Sequence, residues 1–324
     1  MAQLIKLQDY ISRYETDIYR YPTQYIRLKK QHWDKWKQEW MDHKNGDAEY
    51  LKLQEFKEMV EGKQGIFDKV KDFFRREQDG EESNVLFHTE DEVPAFSFHS
   101  NQLLSENELK QEFLNQLLAF QLKWASSTIT AKSFIDDKYF DDTKLRFLLQ
   151  RFPDSFLVLY EPVFLVKNAP VDMDIMIATP TAIWCLTFLE GNQDAVYIGS
   201  KEHFWEKRDG NNSSKTLNPL IALSRMEKII ARIFQHHQVE FPIKKAVVFR
   251  NGYIDYPNVP YDTALLDKRT FNEWFDQQRN LNSPIKHVQL KAVQALLEHT
   301  NTVGFKRQGW NDENNLLIDE EEMD

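Results

Sequence analysis

The chain of 324 residues is 41% hydrophobic and 13% aromatic, enough apolar matter for one large or two ordinary domains and too much for a disordered chain. No run of about 18 uncharged apolar residues occurs, and Asp9, Glu15 and Asp17 interrupt the opening stretch, so neither a membrane span nor a signal peptide is readable and a cytoplasmic protein is expected. A net charge of −10 excludes a surface attractive to nucleic acid all over, and the single cysteine, Cys185, in an apolar run, excludes disulfides and thiolate metal sites within one chain.

Residues 1–78 read as a helical extension. Tyr25, Trp33, Trp36 and Trp40 recur at helical spacing, and so do Leu51, Phe56, Met59 and Val60 after the turn at Lys44, Asn45, Gly46 and Asp47. This predicts a helical hairpin with a third short helix over residues 64–76. Within residues 20–37, Arg20, Arg27, Lys29, Lys30, Lys35 and Lys37 stand against one acid, Asp34, interleaved with aromatic residues. Such a stretch is either a nucleic-acid surface or the solvated side of a helix whose tryptophans pack inward.

Residues 79–104 are acidic and turn-rich, the expected linker, and a second acidic segment forms a tail over residues 306–324. Between them, residues 105–305 are expected to form one α/β domain. Ser105 with Glu108 makes a capping-box pattern opening a helix to about residue 126, and a short helix is expected over residues 144–151. Short apolar runs over residues 156–160, 163–166, 174–178, 182–189 and 195–198 then read as strands of a largely buried sheet. Asn218 and Pro219 form a side-chain cap followed by proline at the first helical position, with Leu223, Met226, Ile230, Ile233 and Phe234 along one stripe behind them. Residues 246–249 read as a strand, Asn251 and Gly252 as a turn, Thr270 with Glu273 as another helix cap, and residues 288–297 as a last helix. His236 and His237 project about 100° apart on a helix and do not chelate one ion together.

The segment from Met173 through Leu186, with Asp174 entering one apolar run, Thr179, Pro180 and Thr181 at a turn and Ile183 to Leu186 in a second run, resembles the nuclease-related domain (NERD) family of the restriction-endonuclease-like PD-(D/E)xK fold. The likeness continues through Ile198, Gly199, Trp205, Asn218 and the run 246–249, so residues 155–250 are the best-matched part. It implies a mixed central sheet flanked by helices. In that family an aspartate and a glutamate hold a divalent cation, with a lysine beside it, and the cation lowers the pKa of water and offsets phosphoryl charge. The aspartate position is Asp174. The glutamate position is Thr187, the lysine position Leu189, the turn glycine Ala182, and a polar position early in the Asn-Pro helix is Ala222. A hydroxyl replaces a charged ligand poorly, and leucine replaces an ammonium not at all.

Three readings follow. The first is a non-catalytic nuclease-related-domain protein of the bacterial cytoplasm, binding DNA or RNA or scaffolding, with no cofactor expected. The second is a divergent nuclease using Mg2+ or Mn2+ on Asp174 with Asp172 or Glu190 and a lysine displaced to Lys201, Lys215 or Lys228. In the third, the N-terminal helices dock a protein partner.

Overall fold

The structure, a computed structural model, describes residues 1–44 and 105–306. They divide into two compact units, one of Met1–Ile26 with the chain from Leu117 onward, the other within Arg27–Gln116. The expected return arm of the hairpin, the helix over 64–76, the linker 79–104 and the tail after Lys306 lie outside the described residues.

The first unit is a mixed α/β structure. Its main sheet runs β1 (Gln3–Leu7), β3 (Leu157–Tyr160), β6 (Ile175–Ala178), β7 (Ile183–Phe188), β11 (Ile243–Phe249) and β13 (Thr263–Asp267) in spatial order. β1 is parallel to β3, β3 to β6 to β7 is an antiparallel meander, and β7, β11 and β13 are parallel. The parallel strands are buried on both faces, which is why the run from Ala246 to Phe249 is apolar at every position.

Three helices shape the two faces. Val158, Ile175, Ile177, Trp184, Leu186, Ala246 and Val248 form one, packed under Leu145, Leu148 and Leu149 of α5 (Thr143–Arg151) and under Phe271 and Trp274 of α7 (Phe271–Arg279). The other is covered by α6 (Pro219–His236), whose Leu223, Met226, Ile230, Ile233 and Phe234 are buried. Asn218 Oδ1 accepts from the Leu220 amide at 3.0 Å, so the expected cap and N1 proline set where this helix starts. Gln289 of α8 (His287–Leu297) is wholly buried and its amide donates to the carbonyls of Ser155 and Ala178, tying the last helix to the ends of β3 and β6.

The opening of the chain corrects one expectation. Gln3–Leu7 is a strand rather than the start of a helical extension, because Ala2, Leu4, Ile5 and Leu7 are all buried against the sheet and its neighbours. Lys6 is buried with them. Its ammonium ion-pairs with Glu15 and donates to the Tyr10 carbonyl and the Thr302 hydroxyl, both at 2.8 Å. The outer edge of β1 is closed by a side chain. Gln121, in the part of α3 (Glu106–Trp124) belonging to this unit, accepts from the Leu4 amide at 2.6 Å and donates to the Ala2 carbonyl at 2.9 Å. Helices α1 (Arg13–Thr16) and α2 (Tyr21–Lys44) follow the strand, and α4 (Lys138–Asp141) precedes α5.

Two expected strands belong elsewhere. β4 (Val163–Val166) pairs with β5 (Ala169–Asp172) as a separate hairpin. β8 (Val196–Ile198) lies in a four-stranded sheet ordered β10, β9, β8, β12, made with β9 (Phe204–Asp209), β10 (Asn212–Leu217) and β12 (Tyr253–Asp255). The hairpin β9–β10 turns at Gly210, whose φ of 57° suits glycine. β2 (Ala131–Lys132) and β14 (Phe305–Lys306) pair as a short ribbon. Thr270 does not cap α7 with its side chain, because its hydroxyl turns back to the Leu265 carbonyl.

In the second unit, α2 continues to Lys44 and α3 begins at Glu106, with the Ser105–Glu108 capping box formed in both directions. Trp33 and Trp36 pack on Phe113 at ring separations of 5.3 and 5.4 Å, and Trp36 and Trp40 are buried.

Candidate functional site

The hairpin β6–β7 brings the two ends of the matched segment together. Thr179 organises its turn, the hydroxyl donating to the Ala182 carbonyl at 2.9 Å and accepting from the Ala182 amide at 3.1 Å. Ala182 is fully buried and holds no left-handed backbone, so alanine stands here without strain. Register pairs Ile175 with Leu186, which makes Asp174 and Thr187 the next opposed positions, and alternation turns them to the α6 side of the sheet. The Thr187 hydroxyl donates to Asp174 Oδ2, and both residues are half-buried.

Leu189 follows the strand end. Its amide continues the ladder to the Val248 carbonyl at 2.8 Å, and its half-buried side chain carries no charge to a reacting group. Ala222 is half-buried in the second turn of α6. Asp172 belongs to the β4–β5 hairpin and is exposed, since the chain leaves that hairpin before β6 begins; the alternation linking it to Asp174 in sequence is therefore broken. Glu190 lies beyond β7 with its side chain 86% exposed. Among the described residues no three His, Cys, Asp or Glu side chains are placed to hold a metal ion. A hard divalent cation wants several carboxylate oxygens, so Asp174, Thr187 and Leu189 do not fit one.

Sequence reasoning missed two neighbours of this corner. Lys144, in the first turn of α5, places Nζ 3.9 Å from Glu161 Oε1 and 4.0 Å from Glu190 Oε1. Glu161 directly follows β3 and takes a φ of 49°, an uncommon conformation for a residue with a side chain. Burial raises the Glu161 carboxyl above its ordinary value; Lys144 opposes this, and the charges of Asp142 and Asp174 add to it. Asp142 accepts from the Lys144 and Leu145 amides at 2.8 and 3.0 Å and from the Tyr160 hydroxyl, fixing the start of α5 over the strand ends. One sequence signal was available, since a lysine in a helix's first turn opposes the macrodipole and calls for a nearby acid.

The other candidates disperse. Arg20, Arg27, Lys30 and Lys35 are exposed and Lys29 and Lys37 half-buried; of the aromatic residues among them, Tyr25 and Trp36 are buried, Tyr21 and Trp33 half-buried and Tyr19 exposed. Cys185 is buried and its thiol is pushed up by burial. His237 Nε2 lies 3.0 Å from His299 Nε2, an imidazole pair rather than an adjacent-residue chelate.

No family model matches the chain, and no solved structure matches it. A stretch of 121 residues is 34% identical to a protein of Geobacillus stearothermophilus named RNA 2',3'-cyclic phosphodiesterase, covering 37% of this chain and 36% of that one. The match thus spans about a third of the relative's length. No helix among the described residues is long and apolar enough to cross a membrane.

Proposed function

We propose that this chain is a nuclease-related-domain protein of the restriction-endonuclease-like fold that has lost the cutting chemistry and acts in the bacterial cytoplasm as a nucleic-acid-binding or scaffolding module. The observation that carries the reading is the Thr187–Asp174 hydrogen bond. A neutral hydroxyl meets the aspartate where the resemblance puts a metal-binding glutamate, with Leu189 two residues on. The aspartate's need for a partner is met by a donor that adds no charge and no metal-binding carboxylate. The β6–β7 hairpin, the Asn218-capped helix and β11 beside β7 support the scaffold part of the reading.

The test is an assay of the purified protein on single- and double-stranded DNA and RNA with Mg2+ or Mn2+, beside Asp174→Ala, with binding followed at low and physiological salt. The expected outcome is salt-sensitive binding without cleavage. Cleavage abolished by Asp174→Ala would overturn the reading and establish a rearranged active site.

A second reading is favoured by Glu161 and by the relative's name. A half-buried carboxyl raised above its usual range, facing a lysine across 3.9 Å, has the make-up of a general acid–base pair for phosphodiester hydrolysis. It predicts hydrolysis of RNA ending in a 2',3'-cyclic phosphate, lost in Glu161→Gln. No turnover of that substrate removes it.

A further inference from the structure

Helix α6 has two differently charged sides. Leu223, Met226, Ile230 and Ile233 face the sheet, whereas Arg225, Lys228 and Arg232 line a cleft of about 1120 Å³ on the helix's outer face. Lys201, from the bend after β8, joins them, and the loop 256–260 and Val166 form the other walls. No carboxylate lines this cleft. Among the described residues none of the four cations makes an ion pair with an acid, and Arg225 bonds only the Asp172 backbone carbonyl, at 3.1 Å. In a chain of net charge −10, four cations without a counter-ion in one concavity are a selective arrangement.

The acids nearby are held away from the cleft. Glu227, between Arg225 and Lys228 in sequence, turns to Lys245 at 2.6 Å, and Asp262, just past the loop, reaches the same ammonium at 2.5 Å. Lys245 therefore draws both of these carboxylates to itself and offsets one of their two charges. The stripe from Arg225 to Arg232 covers about 10 Å of helix axis at about 1.5 Å per residue, more than one phosphate group occupies. Between the cations the walls have apolar stretches, Ile221 at 40% exposed with Val259 and Pro260, beside the uncharged polar side chains of Asn218, Ser224 and Asn258.

We propose that this cleft binds single-stranded nucleic acid, the four cations contacting successive phosphates and the apolar stretches receiving unstacked bases. Cationic tracking of the backbone combined with apolar or aromatic contact to bases is the physical basis of single-strand binding. A duplex hides its bases and would leave Ile221, Val259 and Pro260 without partners. The proposal rests on the nucleic-acid-binding reading for its ligand class, and it assigns the binding to a surface distinct from Asp174 and Thr187.

The test uses the full chain and a fluorescent single-stranded RNA and DNA, each beside its duplex, titrated over a salt series. Arg225→Glu with Lys228→Glu is compared with Arg27→Glu with Lys30→Glu on the N-terminal helix; the neutral pair Arg225→Gln with Lys228→Gln is used should the reversal fail to fold. The expected result is at least tenfold weaker single-strand binding in either cleft variant. The salt slope should fall by about 1.4, two phosphate contacts at about 0.7 each. The N-terminal variant should stay within twofold of the parent, and the duplex should bind at least tenfold more weakly than the single strand. If the cleft variants bind as the parent does, or if the N-terminal variant alone loses binding, the cleft assignment falls while nucleic-acid binding stands. Equal affinity for duplex overturns the single-strand assignment, and no binding by the parent overturns both proposals.

Discussion

Replacing Lys6 by methionine separates the value of a buried ion pair from the cost of halving it. Lys6 has no exposed side-chain surface, and Glu15 has 18%. Burial pushes the Lys6 ammonium below its ordinary value even against the pull of Glu15 and Asp9, the mark of a charge whose lost hydration is not fully offset. The pair as a whole therefore adds little. Its removal by halves is different, because Glu15 stays behind with the Thr302 and Thr300 hydroxyls at 2.9 and 3.3 Å and the Ser12 amide at 3.1 Å as partners. Breaking one side of a buried pair costs about 3–5 kcal/mol. Those three remaining donors place Lys6→Met at the lower end, about 3 kcal/mol. Lys6→Met with Glu15→Gln removes the orphaned charge while keeping a side chain able to close the Ser12 capping box, and should recover all but about 1 kcal/mol. Urea denaturation of the parent, the single and the double variant measures all three. A single variant as stable as the parent would refute the reasoning.

Gly252→Ala should destabilise by about 2–3 kcal/mol, since a Cβ there would lie 2.1 Å from the Ala195 carbonyl oxygen and 2.5 Å from the Phe249 ring. A loss under about 0.5 kcal/mol in urea denaturation would show that the loop yields freely. For Glu161 the folded carboxyl is raised, so its contribution to stability is present at and below the ordinary value of 4.5 and is lost as pH rises through the folded value. Glu161→Gln should therefore gain stability over the parent at neutral pH and lose that gain at pH 4.5 or below, read from urea midpoints across the range. On the proposed nuclease-related reading, Thr187→Glu with Leu189→Lys should not confer metal-dependent cleavage, because Ala222 still stands where the resemblance puts a polar residue. Cleavage by that double variant would mean that the rest of the site is intact.

The elements read most clearly from sequence were those whose buried face repeats. The Asn218 cap with its five-residue apolar stripe and the Ser105 capping box stand where local chemistry put them, and the expected runs 174–178, 182–189 and 246–249 are the strands Ile175–Ala178, Ile183–Phe188 and Ile243–Phe249. β9 and β10 escaped because Phe204–Asp209 and Asn212–Leu217 carry mostly polar side chains on an exposed hairpin, and a solvated strand lacks the apolar alternation that announces one. β1 escaped because Lys6 breaks its apolar run, and the acid that makes the lysine tolerable stands nine residues away. At the candidate site, Asp174 opposite Thr187 followed from hairpin register. Lys144 and Glu161 did not, since a helix start and a strand end meet there only through the tertiary fold.

Gln3 pairs with Leu157, and nearly all the intervening chain, including both helices shared between the two units, must be made before that pairing exists. Loop-closure entropy grows only as the logarithm of length, so the long detour costs little at equilibrium, but it delays the contact in time. During synthesis the apolar segment from Ala2 to Leu7 is made well before its sheet neighbour, Leu157–Tyr160. Until then the amide of Leu4 and the carbonyl of Ala2 have only Gln121 to wait for. Strand β1 is thus among the last parts of this sheet to be locked, and a substitution that weakens only its pairing should act on the rate of folding as well as on stability.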